Sequence, residues 1–244
     1  MSKKALLFAV MFILISASIS SAATNPPSKG QWALALEPVM NLHAKADSNS
    51  SYKKIDMPEN WISVPSAVRD RNNNLWYSVK INGRSGWLPQ NGIRLKMGGK
   101  SKSASNIYRN YVSARRKIMN RLGSWTSGSE GRVTVYTTDG AEFRVIRGKN
   151  GTEDIYFRTD RYDICSEFLG VDLIDMMQPE VRSKLGTPTM RETPYDEPEI
   201  TILSFELADR DMTLSITERR YDGEKEGQVI LVELYRGRTG ERDY

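Results

Sequence analysis

The chain has 244 residues, 39% of them hydrophobic, with 35 Lys/Arg against 30 Asp/Glu and a formal charge of +5. That is material for one large or two small cores. A single cysteine, Cys165, excludes an internal disulfide, so the fold stands on its cores alone. The charge is uneven: residues 29–102 hold twelve Lys/Arg against five Asp/Glu, and residues 103–244 hold twenty-one against twenty-five. The basic residues are dispersed rather than striped, which argues against a nucleic-acid partner. A basic first half suits anionic wall polymers or phospholipid headgroups.

Lys3 and Lys4 precede an apolar run from Ala5 to Ile15, and Ser21-Ala22-Ala23 fits a small-x-small cleavage site. Residues 1–23 therefore read as a secretory signal peptide, with an apolar run too short to span a bilayer comfortably. No Cys follows it for lipid attachment, and no later segment is long and apolar enough to cross a membrane. An exported chain of this size without disulfides points to a bacterial envelope, periplasmic or extracellular.

Residues 24–30 are a turn-rich lead-in. Short strands are expected at Trp32–Leu36, Val39–Lys45, Trp61–Val64 and Ala67–Val68, with polar loops at 47–51 and 70–74. Residues 76–88 then form one hairpin. Tyr77, Val79 and Ile81 alternate with Ser78 and Lys80, Asn82-Gly83 supplies the tight turn, and Gly86-Trp87-Leu88 returns. Many short strands at close spacing imply a small all-β barrel over 31–97.

Leu42-His43-Ala44-Lys45-Ala46, Trp76-Tyr77-Ser78-Val79 and Gly83-Arg84-Ser85-Gly86-Trp87-Leu88 resemble the bacterial SH3-like (SH3b) family. That family pairs a Trp-Tyr-x-Val strand with Gly-x-x-Gly-Trp. The likeness covers Trp32 to Leu95, and its first motif departs from the usual Leu-Asn-Val-Arg. It implies an SH3-like barrel in an exported protein that binds cell-wall peptide or a protein partner.

Met97 to Ser103 has the composition of a linker, placed at 98–103. From Ala104 to Leu122, Ile107, Tyr111, Ala114, Ile118 and Leu122 recur at helical spacing, with Arg109, Arg115, Arg116, Lys117 and Arg121 on the remainder. A second hairpin joins Val133–Tyr136 to Phe143–Ile146 through Asp139-Gly140, and Ile155–Arg158 is a third strand. Short helices are expected within 166–185, one of them started by Pro179 and ended by Gly186. Three strands close the chain: Ile200–Glu206, Met212–Thr217 and Val229–Tyr235. Ile200, Ile202 and Ser204 are expected on the covered face of the first. The expectation for 104–244 is an α+β domain with helices on one face of an antiparallel sheet. Val181-Arg182-Ser183-Lys184-Leu185-Gly186-Thr187-Pro188 is similar to a corner in the small lipoprotein of the outer-membrane assembly machinery and in β-lactamase inhibitor proteins. That likeness implies a protein-binding sheet.

Candidate chemistry is sparse. His43 is the only histidine, far from Cys165 in sequence, so no Cys/His or Ser/His machinery is visible. No spacing suits zinc or calcium, and no cofactor or metal is expected. Cys165 reads as a small buried hydrophobe. Recognition remains. Tyr52, Trp61 and Trp76 offer flat aromatic contact area, and Asp47 could pair with an amine. Trp87 is expected in the core. The expectation is a non-enzymatic envelope protein that binds cell-wall peptide or glycan. The alternatives are an interaction or inhibitory protein acting through its C-terminal sheet, or a hydrolase with unrecognised catalytic residues.

Overall fold

The computed structural model describes residues 31–119, 126–130, 133–148, 151–221 and 226–237. The expected signal peptide and the lead-in lie outside the described residues, as does the last turn of the expected helix, Asn120 to Leu122.

The first 97 residues contribute eight strands: β1 (Trp32–Ala35), β2 (Val39–His43), β3 (Tyr52–Asp56), β4 (Ile62–Ser63), β5 (Ser66–Arg69), β6 (Leu75–Ile81), β7 (Arg84–Pro89) and β8 (Ile93–Lys96). The β6–β7 hairpin turns where expected. Asn82 and Gly83 both take positive φ, 51° and 78°, the backbone of a two-residue turn that matches strand twist.

The expected barrel is corrected. These strands divide between two open antiparallel sheets and do not close. One sheet has five strands in the order β3-β2-β7-β6-β5. The rest, β1, β4 and β8, enter a long sheet with the second half of the chain. That half supplies α1 (Lys102–Met119), β9 (Thr126–Glu130), β10 (Val133–Thr138), β11 (Ala141–Gly148), β12 (Gly151–Thr159), α2 (Tyr162–Leu169), α3 (Gln178–Leu185), β13 (Met190–Thr193), β14 (Ile200–Glu206), β15 (Met212–Arg219) and β16 (Gln228–Arg236). The long sheet runs β4-β1-β8-β13-β14-β15-β16-β12-β11-β10-β9, eleven strands. The seam that overturns a barrel beside an independent α+β sheet is the β8–β13 ladder, with Leu95 opposite Arg191 and Ile93 opposite Thr193. Such a pairing leaves no local trace in sequence, because its partners are about a hundred residues apart.

Register shows that one face of the long sheet is covered along its length. Ala33, Leu95, Leu203, Ile216, Val232, Phe157 and Phe143 follow one another across paired strands on that face. At the β1–β8 end it packs with Met40, Leu42, Tyr77, Val79 and Leu88 of the five-stranded sheet. Further along it packs with Ile107 and Tyr111 of α1, Phe168 and Leu169 of α2, and Val181 and Leu185 of α3. On β14 the core side chains are Leu203 and Phe205, not the expected Ile200, Ile202 and Ser204 set. Ile200 is itself buried, so alternation in that strand carries no sign of which parity faces the core.

α1 buries Ile107 and Tyr111 as its spacing predicts, but Arg115, expected on the wet remainder, is buried and ion-paired to Asp154 at 2.5 Å. The Tyr111 hydroxyl also donates to Asp154, at 3.2 Å. Ser101 caps α1 by accepting the Ala104 N–H at 3.1 Å. Just before it, in the stretch expected as a linker, the Gly98 N–H donates to the Thr189 carbonyl at 3.3 Å and the Ser101 N–H to the Glu206 carbonyl at 2.7 Å. Cys165 is fully buried in α2, and burial pushes its thiol up to about 11. Gly170, at φ 66°, ends that helix.

Candidate functional site

A cleft of about 330 Å³ opens where the five-stranded sheet meets the chain leaving β13 and β15. Its size falls in the range of small-ligand sites. β2 supplies Met40, Asn41 and His43, the start of β6 supplies Leu75 and Trp76, and the end of β7 leads into Gln90 and Asn91. Tyr195 and Pro198 come from the β13–β14 loop, and Arg220 from just beyond β15. Gly92 lets that loop approach. It holds φ +75°, and a Cβ there would lie 3.1 Å from Tyr195 Cδ2 and 3.2 Å from Met40 Cε.

Two of three contacting rings, His43 and Trp76, line the cleft. His43 stands edge-on to Trp76, centroids 5.0 Å apart, and tilts against Tyr52 at 5.3 Å. Trp76 is 2% exposed. Its Nε1–H donates to Asp70 Oδ2 at 2.9 Å, so its donor is spent. Asp70 also accepts from the Asn72 and Asn74 backbone N–H groups, both at 2.9 Å, which folds the β5–β6 turn around it. Those bonds hold the Asp70 carboxyl below its ordinary value although desolvation pulls the other way. Burial lowers the His43 pKa, so its ring is neutral at pH 7. Ser50 Oγ lies 3.4 Å from His43 Nδ1 and donates to the Lys45 carbonyl at 3.1 Å, a loop contact rather than an activated nucleophile.

Behind the cleft, Arg191 of β13 is 9% exposed. Its Nη2 donates to Gln90 Oε1 at 3.2 Å, and a further hydrogen bond reaches Tyr77. It makes no ion pair among the described residues, and its Nε has no partner. Glu218 lies on the same covered face and is fully buried. It accepts from Gln178 Nε2 at 2.7 Å, its Oε1 is unpartnered among the described residues, and desolvation raises its pKa to about 7.

The expected site residues are only partly brought together. Trp76 lines the cleft. Tyr52 touches it through the His43 ring and is 54% exposed. Asp47 closes the 44–51 loop by accepting the Asn49 N–H at 2.9 Å, beside the lining residue Ser48. Trp61 is half-buried ahead of β4 and does not line the cleft. Trp87, expected in the core, is half-buried and outside both hydrophobic clusters. Sequence reasoning missed Gln90, Asn91, Tyr195, Pro198 and Arg220. Their one local signal is Pro89-Gln90-Asn91-Gly92, a polar turn at the end of the hairpin.

Among the described residues, no three His, Cys, Asp or Glu side chains gather as a metal shell, and no helix is long and apolar enough to cross a membrane. No family model matches the sequence, and neither a curated protein nor a solved structure matches it.

Proposed function

We propose that this is an exported, non-enzymatic protein of a bacterial envelope that holds a peptide or glycan of the cell wall in the cleft beside Trp76. The observation that carries the reading is the make-up of the lining. Among the described residues, four carboxamides (Asn41, Asn74, Gln90 and Asn91), the 49% exposed Tyr195 ring and no acidic side chain surround the space. Amides read hydroxyls and peptide groups, and a flat ring covers a sugar face or a peptide bond at low entropic cost. Acid–base hydrolysis needs a paired carboxylate or an activated nucleophile, and the described lining residues supply neither. Lys3, Lys4 and the apolar run after them support export. The experiment is cosedimentation of the full chain with purified peptidoglycan. Retention that Tyr195→Ala weakens supports the reading, and a wild-type chain left in the supernatant refutes it.

A second reading has its own observation. The face of the long sheet opposite the core carries Glu142, Arg144, Tyr156 and Glu233. The Arg144 guanidinium lies over the Tyr156 ring at 5.4 Å, and the Tyr156 hydroxyl donates to Glu233 at 2.9 Å. This patterned polar face, half-buried at Glu142, Arg144 and Tyr156 and buried at Glu233, suits a protein partner in the envelope.

A further inference from the structure

We infer that the ligand of this cleft carries a carboxylate, seated against the Arg220 guanidinium. The inference rests on the cleft being a ligand site, as proposed above, and goes beyond it by naming the group recognised.

Three observations point the same way. Arg220 lines the cleft, and its side chain makes no ion pair or hydrogen bond among the described residues. A half-buried guanidinium in such a lining suits a planar oxyanion, because it offers five N–H donors in a rigid fork. Second, Arg191 places another positive charge directly behind the lining, one hydrogen bond away through Gln90; it makes no ion pair among the described residues, and the carboxyl that draws on it, Glu218, is itself pushed up to about 7 by burial. A buried cation without an ion-pair partner in contact is costly, and an anion arriving in front of Gln90 offsets part of that cost. Third, no acidic side chain of the described residues lines the cleft. Asp196, Glu197 and Glu199 belong to the loop that carries Tyr195, yet none of them lines the cleft. His43 is neutral, so it neither adds to the positive potential nor draws the anion away.

The lining also separates carboxylate from phosphate. No lining residue starts a helix, and no glycine-rich run of backbone N–H groups faces the space. A phosphate dianion is ordinarily met by such N–H groups or by several cations, whereas one guanidinium matches one carboxylate as a two-bond pair. The Arg191 Nη2 bond takes the Gln90 Oε1, which leaves the Gln90 amide nitrogen as a donor for the same ligand. A carboxylate can come from a peptide C-terminus or from a sugar acid, and both occur in wall material.

The test is isothermal titration of the full chain with four probes: N-acetyl-D-alanyl-D-alanine, its C-terminal carboxamide, N-acetylmuramic acid and N-acetylglucosamine. One or both acids are expected to bind about tenfold tighter than the neutral counterpart, with the advantage shrinking as salt rises. Peptide-acid preference names a peptide terminus, and muramic-acid preference names a sugar acid. Arg220→Gln is expected to abolish the preference, so that acids and neutral probes bind alike, and to keep the wild-type melting temperature. Arg220→Lys retains part of it. Acids and neutral probes binding equally overturns the carboxylate inference while the cleft reading stands. No probe binding at all overturns both.

Discussion

Glu218 links the core to pH in a way that can be measured directly. It is fully buried on β15, hydrogen-bonded to Gln178, and makes no salt bridge among the described residues. Desolvation raises its pKa from 4.5 to about 7, against the pull of Gln178, Arg191 and Arg182. A carboxyl raised in this way binds its proton more tightly folded than unfolded. Its contribution is therefore intact below pH 4.5, declines as pH rises, and is lost once pH passes about 7. That separation corresponds to about 3 kcal/mol between the two limits. Glu218→Gln removes the titration while keeping a carbonyl for Gln178 Nε2. In urea unfolding followed by tryptophan fluorescence, the variant should match the wild type within about 1 kcal/mol at pH 5 and exceed it by about 3 kcal/mol at pH 8. Parallel curves at the two pH values, or a variant weaker at pH 8, would refute the reasoning.

Trp76→Phe leaves Asp70 Oδ2 without its indole donor and should cost about 1–2 kcal/mol in chemical denaturation; an unchanged midpoint would show the bond contributes nothing. Gly92→Ala forces a Cβ to 3.1 Å from Tyr195 at φ +75°, so it should lose about 1 kcal/mol or more and also lower peptidoglycan retention. The Cys165 thiol, buried and pushed up to about 11, should resist a thiol reagent in the native chain and react fully in denaturant. Phe157→Ala, at the junction of the Tyr111 and Phe168 rings, should cost about 3–5 kcal/mol in the same urea experiment.

Local structure was legible where a short stretch carries its own instruction. Asn82-Gly83 and Asp139-Gly140 marked both hairpins, Ile107 and Tyr111 marked the buried side of α1, and Gly186 marked the end of α3. Sheet membership was not legible. The Trp76–Leu88 hairpin says that β6 pairs with β7, but nothing in it says that β1 and β8 join the strands of the second half instead of closing on their neighbours. Strand β13, only four residues long, mostly buried and following the Gly186-Thr187-Pro188 turn, has no hydrophobic alternation to announce it, and it is the strand that joins the halves. The site divides in the same way. Trp76 was visible as a large aromatic beside a polar loop. Tyr195 and Arg220 reach it only through the β8–β13–β14–β15 ladder, and Arg191 reads in sequence as one more surface cation.

Hydrogen exchange of the full chain, with and without a soluble muropeptide mixture, tests the central claim most directly. If the cleft is the recognition site, added protection should fall on residues 40–43, 74–76, 89–92 and 194–199. Protection confined to β11, β12 and β16 on the open face of the long sheet, or none anywhere, would contradict it.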